Sequence, residues 1–424
     1  LIMSSLNTLP FARRSETLPS SLSALQSATR DTLSALNMPD RRHEDWKYSA
    51  KKIGDLSTFD KALDGRASDI SRPYKIDKKN ALSIRLENGA IATPLDNLKL
   101  PEGLILKRFT HLNEEEIGRV IEAVGSESKK REFEQINLSS FDDGLYIEAS
   151  RNIKIEQMLI LEIVHNKGGV SLPRIFVNIR DNAELTVIEE YHCTSSDTAL
   201  CISHSDYLVA QNSQLNSVRM NLGFAEHKLI ASSRAQLKRD ARFNSDALCL
   251  GAQLGRHDLR VLLQEPGAEC GLNGIVVTQA NQHFDNHTCI EHIAPHCTSN
   301  ENYRCIADGK SQIVFNGRIH IVPDAQKTLG TMNNNNLILS PTAEIDSKPE
   351  LEIYADDVKC AHGTTIGQLD EEEIDYLKTR GLTDEQARQM LTLGFVLKVV
   401  RNAKVDEIAD FWETILSNLL SFQD

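Results

Sequence analysis

Residues 310–367 read KSQIVFNGRIHIVPDAQKTLGTMNNNNLILSPTAEIDSKPELEIYADDVKCAHGTTIG. Short apolar runs alternate here with turn-forming residues. The runs are Ile313-Val314-Phe315, Ile319 to Val322, Leu337 to Leu339 and Leu351 to Tyr354. The separators are Asn316-Gly317, Pro323-Asp324-Ala325, Ser340-Pro341-Thr342-Ala343 and Asp356-Asp357. Each run is too short for a helix, and each separator carries turn chemistry. The stretch is therefore read as successive short strands. It ends on a concentration of polar groups: Lys359, Cys360 and His362, followed by Gly363.

Strand-like runs extend upstream to Leu145-Tyr146-Ile147, through Met158 to Val164, Ile175 to Ile179 and Leu185 to Ile188. A small residue followed by a polar one recurs before a new strand, at Ala183, Ser213, Ala268, Ser311, Ala325 and Ala343. Ser311, Ala325 and Ala343 are 14 and 18 residues apart, and Ala183 to Ser213 is 30, about two such steps. A loose repeat without helices points to a coiled β-solenoid, in which each coil's apolar residues are covered only by the next coil. Small residues fit where the chain turns over its neighbour. Asn333–Asn336 suits a corner with stacked amides. The same strand lengths also permit a large β-sandwich.

The flanks are helical. Leu22, Leu25, Thr29, Leu33 and Leu36 share one face over residues 19–37, before Pro39. His43-Glu44-Asp45-Trp46-Lys47-Tyr48 follows, read as a local packing anchor. Residues 57–100 read as irregular and polar. Ile117, Val120, Ile121 and Val124 share a helical face after Asn113, and residues 128–137 fit a short helix. After Gly367, Asp370 and Glu373 open one helix, which Gly381 ends. Thr383 with Gln386 forms a capping box for a second, with Ala387, Met390, Leu391 and Gly394 on one face. A third holds Ile408, Phe411, Trp412, Ile415, Leu416 and Leu419. This short bundle has more apolar surface than it can bury internally, so it should dock on the β body or a partner. The expected division is 3–140 mainly helical, 144–367 β-solenoid and 368–424 helical.

The 424 residues carry a formal charge of −13, which argues against a general nucleic-acid binder. No apolar run approaches the ~18 residues of a membrane span. Leu1-Ile2 precede Met3, the expected natural start, and Arg13, Arg14 and Glu16 interrupt any secretory apolar core. Eight cysteines spread along such a chain read as free thiols in a reducing cytoplasm. There is no phosphate loop of the Gly-x-x-x-x-Gly-Lys-Ser/Thr type, no Gly-x-Ser-x-Gly and no His-Glu-x-x-His.

Cys360 and His362 are two apart, so on a strand they point the same way and offer a thiolate and an imidazole, good ligands for iron, zinc or copper. Two ligands do not close a site, and a partner or another part of the chain would have to supply the rest. A second histidine and cysteine cluster comprises His283, His287, Cys289, His292, His296, Cys297 and Cys305. His287 and Cys289 share strand parity, but His292 and His296 face the other way, so a compact zinc site is not expected. Cys297 and Cys305 are expected to pack within the coil. Asp356-Asp357 and Lys359 also fit a solvated turn.

Several blocks together resemble the SufB/SufD family of iron–sulfur cluster assembly proteins, most like its SufD members. They are His43 to Tyr48, Val314-Phe315-Asn316-Gly317, Met332-Asn333-Asn334-Asn335, and above all Lys348 to Cys360 with His362-Gly363. The resemblance implies a right-handed parallel β-helix between N- and C-terminal helical domains. It implies a non-enzymatic scaffold in the cytoplasm that pairs with a SufB-like paralogue and binds a SufC ATPase, here assigned to the C-terminal helices. It implies no stably bound cofactor, with iron or an iron–sulfur cluster held transiently at the SufB interface. His362 and Cys360 are then candidate ligands. Lys359, His362 and His292 are candidate interface residues, with His292 otherwise structural. Alone, the chain is expected to form a homodimer through its uncovered end strands. The rival reading is a β-helix enzyme acting on polysaccharide.

Overall fold

The computed structural model describes residues 6, 9–12, 15, 17–62, 80–124 and 131–420. Met3, Arg13, Arg14, Glu16 and residues 128–130 of the expected helix lie outside the described residues. The β body is a parallel solenoid of two facing sheets, each coil giving one strand to each sheet. Sheet I runs Ala90–Ile91, Ala81–Glu87, Met158–His165, Glu184–Cys193, Gln214–Asn221, Arg242–Leu250, Glu269–Thr278, Thr298–Ala307, Thr328–Ile338 and Val358–Gly367. Sheet II runs Leu104–Arg108, Leu145–Ala149, Arg174–Ile179, Ala199–Val209, Lys228–Leu237, Leu254–Leu263, His283–His292, Gln312–Ile321 and Glu344–Ile353. Leu185, Leu215, Phe243 and Cys270 stand in register on successive coils, and all are buried. Because strand side chains alternate, this fixed register stacks core on core and surface on surface. The solenoid, not the sandwich, is the architecture.

Residues 310–367 form the last four strands. Asn316-Gly317 is not a turn but the middle of Gln312–Ile321. Gly317 leaves room there for Met332 of the facing sheet, whose Sδ a Cβ would approach to 2.7 Å. The other three separators do turn the chain.

One corner of the coil is a ladder of small buried residues: Ala183, Ser213, Ala241, Ala268, Cys297 and Ala325, each at most 3% exposed. Steps of 14 and 18 residues are half-coils and a step of 30 is a whole one. Immediately before the first five of these, Asn182, Asn212, Asp240, Gly267 and His296 adopt φ between +53° and +79°. This left-handed region favours glycine, asparagine and aspartate. The expected amide stack exists, but at this corner. Asn182 Nδ2 donates to Asn152 Oδ1 and Asn212 Nδ2 to Asn182 Oδ1, both at 2.8 Å. Asn333–Asn336 instead lies within Thr328–Ile338, with Asn334 and Asn336 buried inside.

Of the range 57–100, residues 63–79 lie outside the described residues, and 80–100 are less irregular than their composition implies. Ala81–Glu87 runs parallel to Met158–His165 and folds back on Ala90–Ile91, while Leu104–Arg108 pairs antiparallel with Leu145–Ala149. Antiparallel strands thus finish the N-terminal end of both sheets. Helices α1 (Ser20–Ser34), α2 (Ala50–Ile53), α3 (Glu114–Val124) and α4 (Glu132–Ser140) belong to the N-terminal part. Leu22 and Leu33 of α1, Val120 of α3 and Ile136 of α4 share a core with Phe176, Ile202 and Ile230 on the outer face of sheet II. Ile121 of α3 lies 37% exposed, off the buried face.

Helices α5 (Glu371–Thr379), α6 (Asp384–Val400) and α7 (Asp406–Leu419) follow the last strand. Asp370 caps α5, Gly381 follows it at φ +96°, and the Thr383–Gln386 capping box opens α6. The surplus apolar surface docks on sheet I, where Val396, Val399, Phe411 and Trp412 meet Ile188, Val218, Leu248, Ile275 and Ile306. The buried face of α6 is Ala387, Val396, Val399 and Val400, whereas Met390 and Gly394 are exposed. None of the described helices is long and apolar enough to cross a membrane.

Asn182→Ala removes two amide bonds and puts a Cβ-bearing residue without a local hydrogen bond at φ +56°. The expected loss is about 1–2 kcal/mol, and Asn182→Gly should lose about half as much because glycine keeps the backbone conformation. Urea unfolding checks this; equal losses would show that the amide stack, not the turn conformation, dominates.

Candidate functional site

Val358–Gly367 pairs along its length with Thr328–Ile338 on one side. Among the described residues no strand pairs with its other side. Its partners Gly330, Met332, Asn334 and Asn336 are the buried, inward-facing residues of the preceding coil. By register Cys360, His362, Thr364 and Ile366 form the next inward row. Among the described residues no further coil covers them, so His362 and Thr364 are exposed and Ile366 is 50% exposed. The sequence reading that Cys360 and His362 share a face holds, and that face is the open end of the core.

Cys360 is half-buried against the core, and a Cβ on Gly330 would lie 3.3 Å from its Sγ. Burial pushes its thiol up, partly opposed by a backbone hydrogen bond from Gly330. Becoming a thiolate ligand would therefore be helped by a cation arriving beside it. Among the described residues, no three His, Cys, Asp or Glu side chains converge on a metal-sized site. Lys359 is exposed on the opposite face, in register with Leu329, which is 47% exposed. Tyr354, 61% exposed, stands at the same end with the His320 ring edge-on to it at 5.7 Å.

Ser347, which sequence reasoning did not single out, and the inward pair of the asparagine run, which it placed at a corner, support this row. Ser347 Oγ donates to Asn334 Oδ1 at 2.7 Å and meets Thr364 Oγ1 at 3.0 Å. Asn336 Nδ2 donates to Asn334 Oδ1 at 2.7 Å, and Asn334 Nδ2 contacts Cys305 Sγ at 3.6 Å. Every second residue of the Asn-Asn-Asn-Asn run faces inward, and that parity was the available signal.

The second cluster disperses. His287 and Cys289 lie on the outer face of sheet II. His296 occupies a corner at φ +61°, and Cys297 and Cys305 are fully buried. His292 is 0% exposed with Nε2 2.9 Å from Ser299 Oγ, so its interfacial reading is corrected to a packing role. His283 Nε2 meets Ser49 Oγ at 2.8 Å, and Ser49 also donates to Asp285. Arg256 donates to Asp285 Oδ2 and to the Asp45 carbonyl, each at 2.6 Å, while its guanidinium lies 3.9 Å from the Trp46 ring centroid. The His43–Tyr48 segment is thus a packing anchor, pinning the N-terminal part to the coils. All eight cysteines are free.

Glu301 is fully buried two coils in from the open end, and burial pushes its carboxyl up to about 7 despite a hydrogen bond from Thr288. An acid with a raised folded pKa holds its proton more tightly when folded, so stability falls as pH rises from the unfolded value toward 7. Glu301→Gln should flatten that fall and gain about 2–3 kcal/mol at pH 8. Denaturant unfolding at pH 5 and pH 8 checks this. A wild-type excess at pH 8 would contradict it.

Comparison with known proteins follows the same outline. A family model described as SUF system FeS cluster assembly, SufBD core domain, matches residues 163–395. An iron–sulfur cluster assembly SufBD family protein of Synechocystis is 28% identical over 386 residues, covering 87% of this chain and 85% of that protein. The iron–sulfur cluster assembly protein SufD of Escherichia coli is 28% identical over 380 residues, 85% of this chain and 84% of that protein. The chloroplastic protein ABCI7 of Arabidopsis thaliana is 23% identical over 413 residues, 94% and 86% of the two chains. With more than half of its length matched by the family model, the chain belongs to the SufBD family of the SUF iron–sulfur cluster assembly system.

Proposed function

We propose that this chain is a SufD-like, non-catalytic scaffold subunit that works in the cytoplasm within a SufB–SufC–SufD type of assembly. The observation that carries the reading is the uncovered last coil. It presents Cys360 and His362 on the core-facing row, next to apolar residues that a lone chain leaves in water. A SufB-like paralogue with a matching end would cover that row, pair the free backbone edge and bring the missing ligands. Iron or a nascent cluster is then cargo at a shared site, with His362 as the main ligand from this side and Cys360 in support. Lys359 and Tyr354 lie where the rim of that contact would run. Without the paralogue, a second copy covers the same end as a twofold dimer.

The C-terminal helices are assigned to a SufC-type ATPase. Most of their apolar surface covers sheet I, so the contact falls to what remains exposed, chiefly Tyr376 at 57% and Met390 at 53%. Deleting residues 370–424 would also strip that cover from Ile188, Val218 and Leu248, which makes point variants the cleaner test. Tyr376→Ala with Met390→Ala should weaken capture of SufC about tenfold, or about 1.4 kcal/mol. Unchanged capture would move the ATPase contact elsewhere.

His362→Ala should leave folding and assembly with the SufB and SufC partners intact and cripple cluster formation. Cys360→Ser should have the milder effect. Growth complementation under iron limitation, with size exclusion of each variant complex, measures both. Full complementation by His362→Ala would remove the shared site, and failure to assemble would recast His362 as structural.

A further inference from the structure

Inside the coils, three polar side chains are left with unmatched atoms. Asn286 is fully buried, and neither its amide nitrogen nor its amide oxygen has a hydrogen-bond partner. His257 stands in register with it on the adjacent coil; its Nε2 meets Ser233 Oγ at 3.1 Å, but its Nδ1 has no partner. Glu301 faces them from the other sheet. Its Oε1 accepts from Thr288 Oγ1 at 2.6 Å, while Oε2 has no partner. Thr288 is two residues beyond Asn286 on the same inward row, so the carboxyl ends close to the amide. Tyr303, two residues beyond Glu301, brings its phenol to the edge of hydrogen-bonding reach of the Asn286 amide, the nearest partner the protein offers that group.

Buried polar atoms in folded proteins find partners in the protein or in ordered water. Four unmatched atoms on three groups that line the lumen supply the two to four polar partners that a buried water needs. The chemistry selects water over an ion. Asn286 offers N–H donors and an acceptor oxygen, and His257 Nδ1 and Glu301 Oε2 can each complete a bond with a molecule that both donates and accepts. A cation would leave the Asn286 N–H unmatched, and an anion would face the Glu301 carboxyl.

We infer that the solenoid encloses a water-binding site between His257, Asn286 and Glu301, where one or more ordered waters join the two sheets. Gly274 makes room for its wall, since a Cβ there would lie 2.0 Å from the Tyr303 ring. Tyr303 stands in register with Asn334, which the Ser347 hydroxyl links to Thr364 on the exposed last coil. The inference rests on interior packing alone and holds whichever partner covers that end.

A crystal structure of the wild-type chain at atomic resolution tests it. At least one well-ordered water is expected within hydrogen-bonding distance of both Asn286 and Glu301 Oε2. A site without water density, with Asn286, His257 and Glu301 bonded directly to one another or to Tyr303, would overturn the inference. Magnetic relaxation dispersion of water oxygen gives a second reading in solution. Asn286→Leu should lose the contribution of at least one long-lived water relative to wild type, and an undiminished amplitude would overturn it. Should Asn286→Leu fail to fold, the wild-type crystal structure decides alone.

Discussion

Along the stack, an inward apolar row on one coil of this molecule is covered only by the same row of the next coil. Everything else follows from that dependence. Leu185, Leu215, Phe243 and Cys270 stay in register because a slip of one residue would turn each coil's core outward. The corner must then repeat the same conformation on every pass, which explains the run of left-handed Asn182, Asn212, Asp240, Gly267 and His296, each followed by a small buried residue. The stacked amides of Asn152, Asn182 and Asn212 are the corner's version of the same rule.

The dependence also makes the two ends unequal. At the N-terminal end the antiparallel strands Ala90–Ile91 and Leu104–Arg108 finish the sheets. At the C-terminal end, Glu344–Ile353 and Val358–Gly367 are the last strands, and the helices after them turn away to cover the outer face of sheet I. Residues that would be ordinary core one coil earlier become surface. Met332 is fully buried, and its register partner His362 is exposed. In the proposed function, the chemistry is placed where the fold itself runs out of cover.

What was legible in the sequence was local. Turn chemistry, capping boxes and the parity of Cys360 and His362 each depend on a few neighbouring residues. What was not legible was decided across the structure. Gly317 looks like a turn residue until Met332 is seen packed against it from the facing sheet. The buried face of α6 is set by the sheet beneath it, and of the face that periodicity traced through Ala387, Met390, Leu391 and Gly394 only Ala387 is buried. Ala81–Glu87 was missed because its strand identity comes from pairing with Met158–His165, more than 70 residues on. Asn286 and Glu301 reach one region only because the chain crosses from one sheet to the other between them. The packing role of the His43–Tyr48 segment was read correctly, but its partner Arg256 lies some 200 residues away.

The central claim is that the last coil is a surface only a partner completes. Amide hydrogen exchange along Val358–Gly367 tests it most directly, with the dilute chain alone compared with the chain mixed with the SufB-like paralogue proposed as its partner. The account predicts rapid exchange of the outward-pointing amides of this strand when alone and strong protection in the complex, while Glu269–Thr278 in the middle of the stack stays protected in both. A stable complex that leaves exchange in Val358–Gly367 unchanged would contradict it.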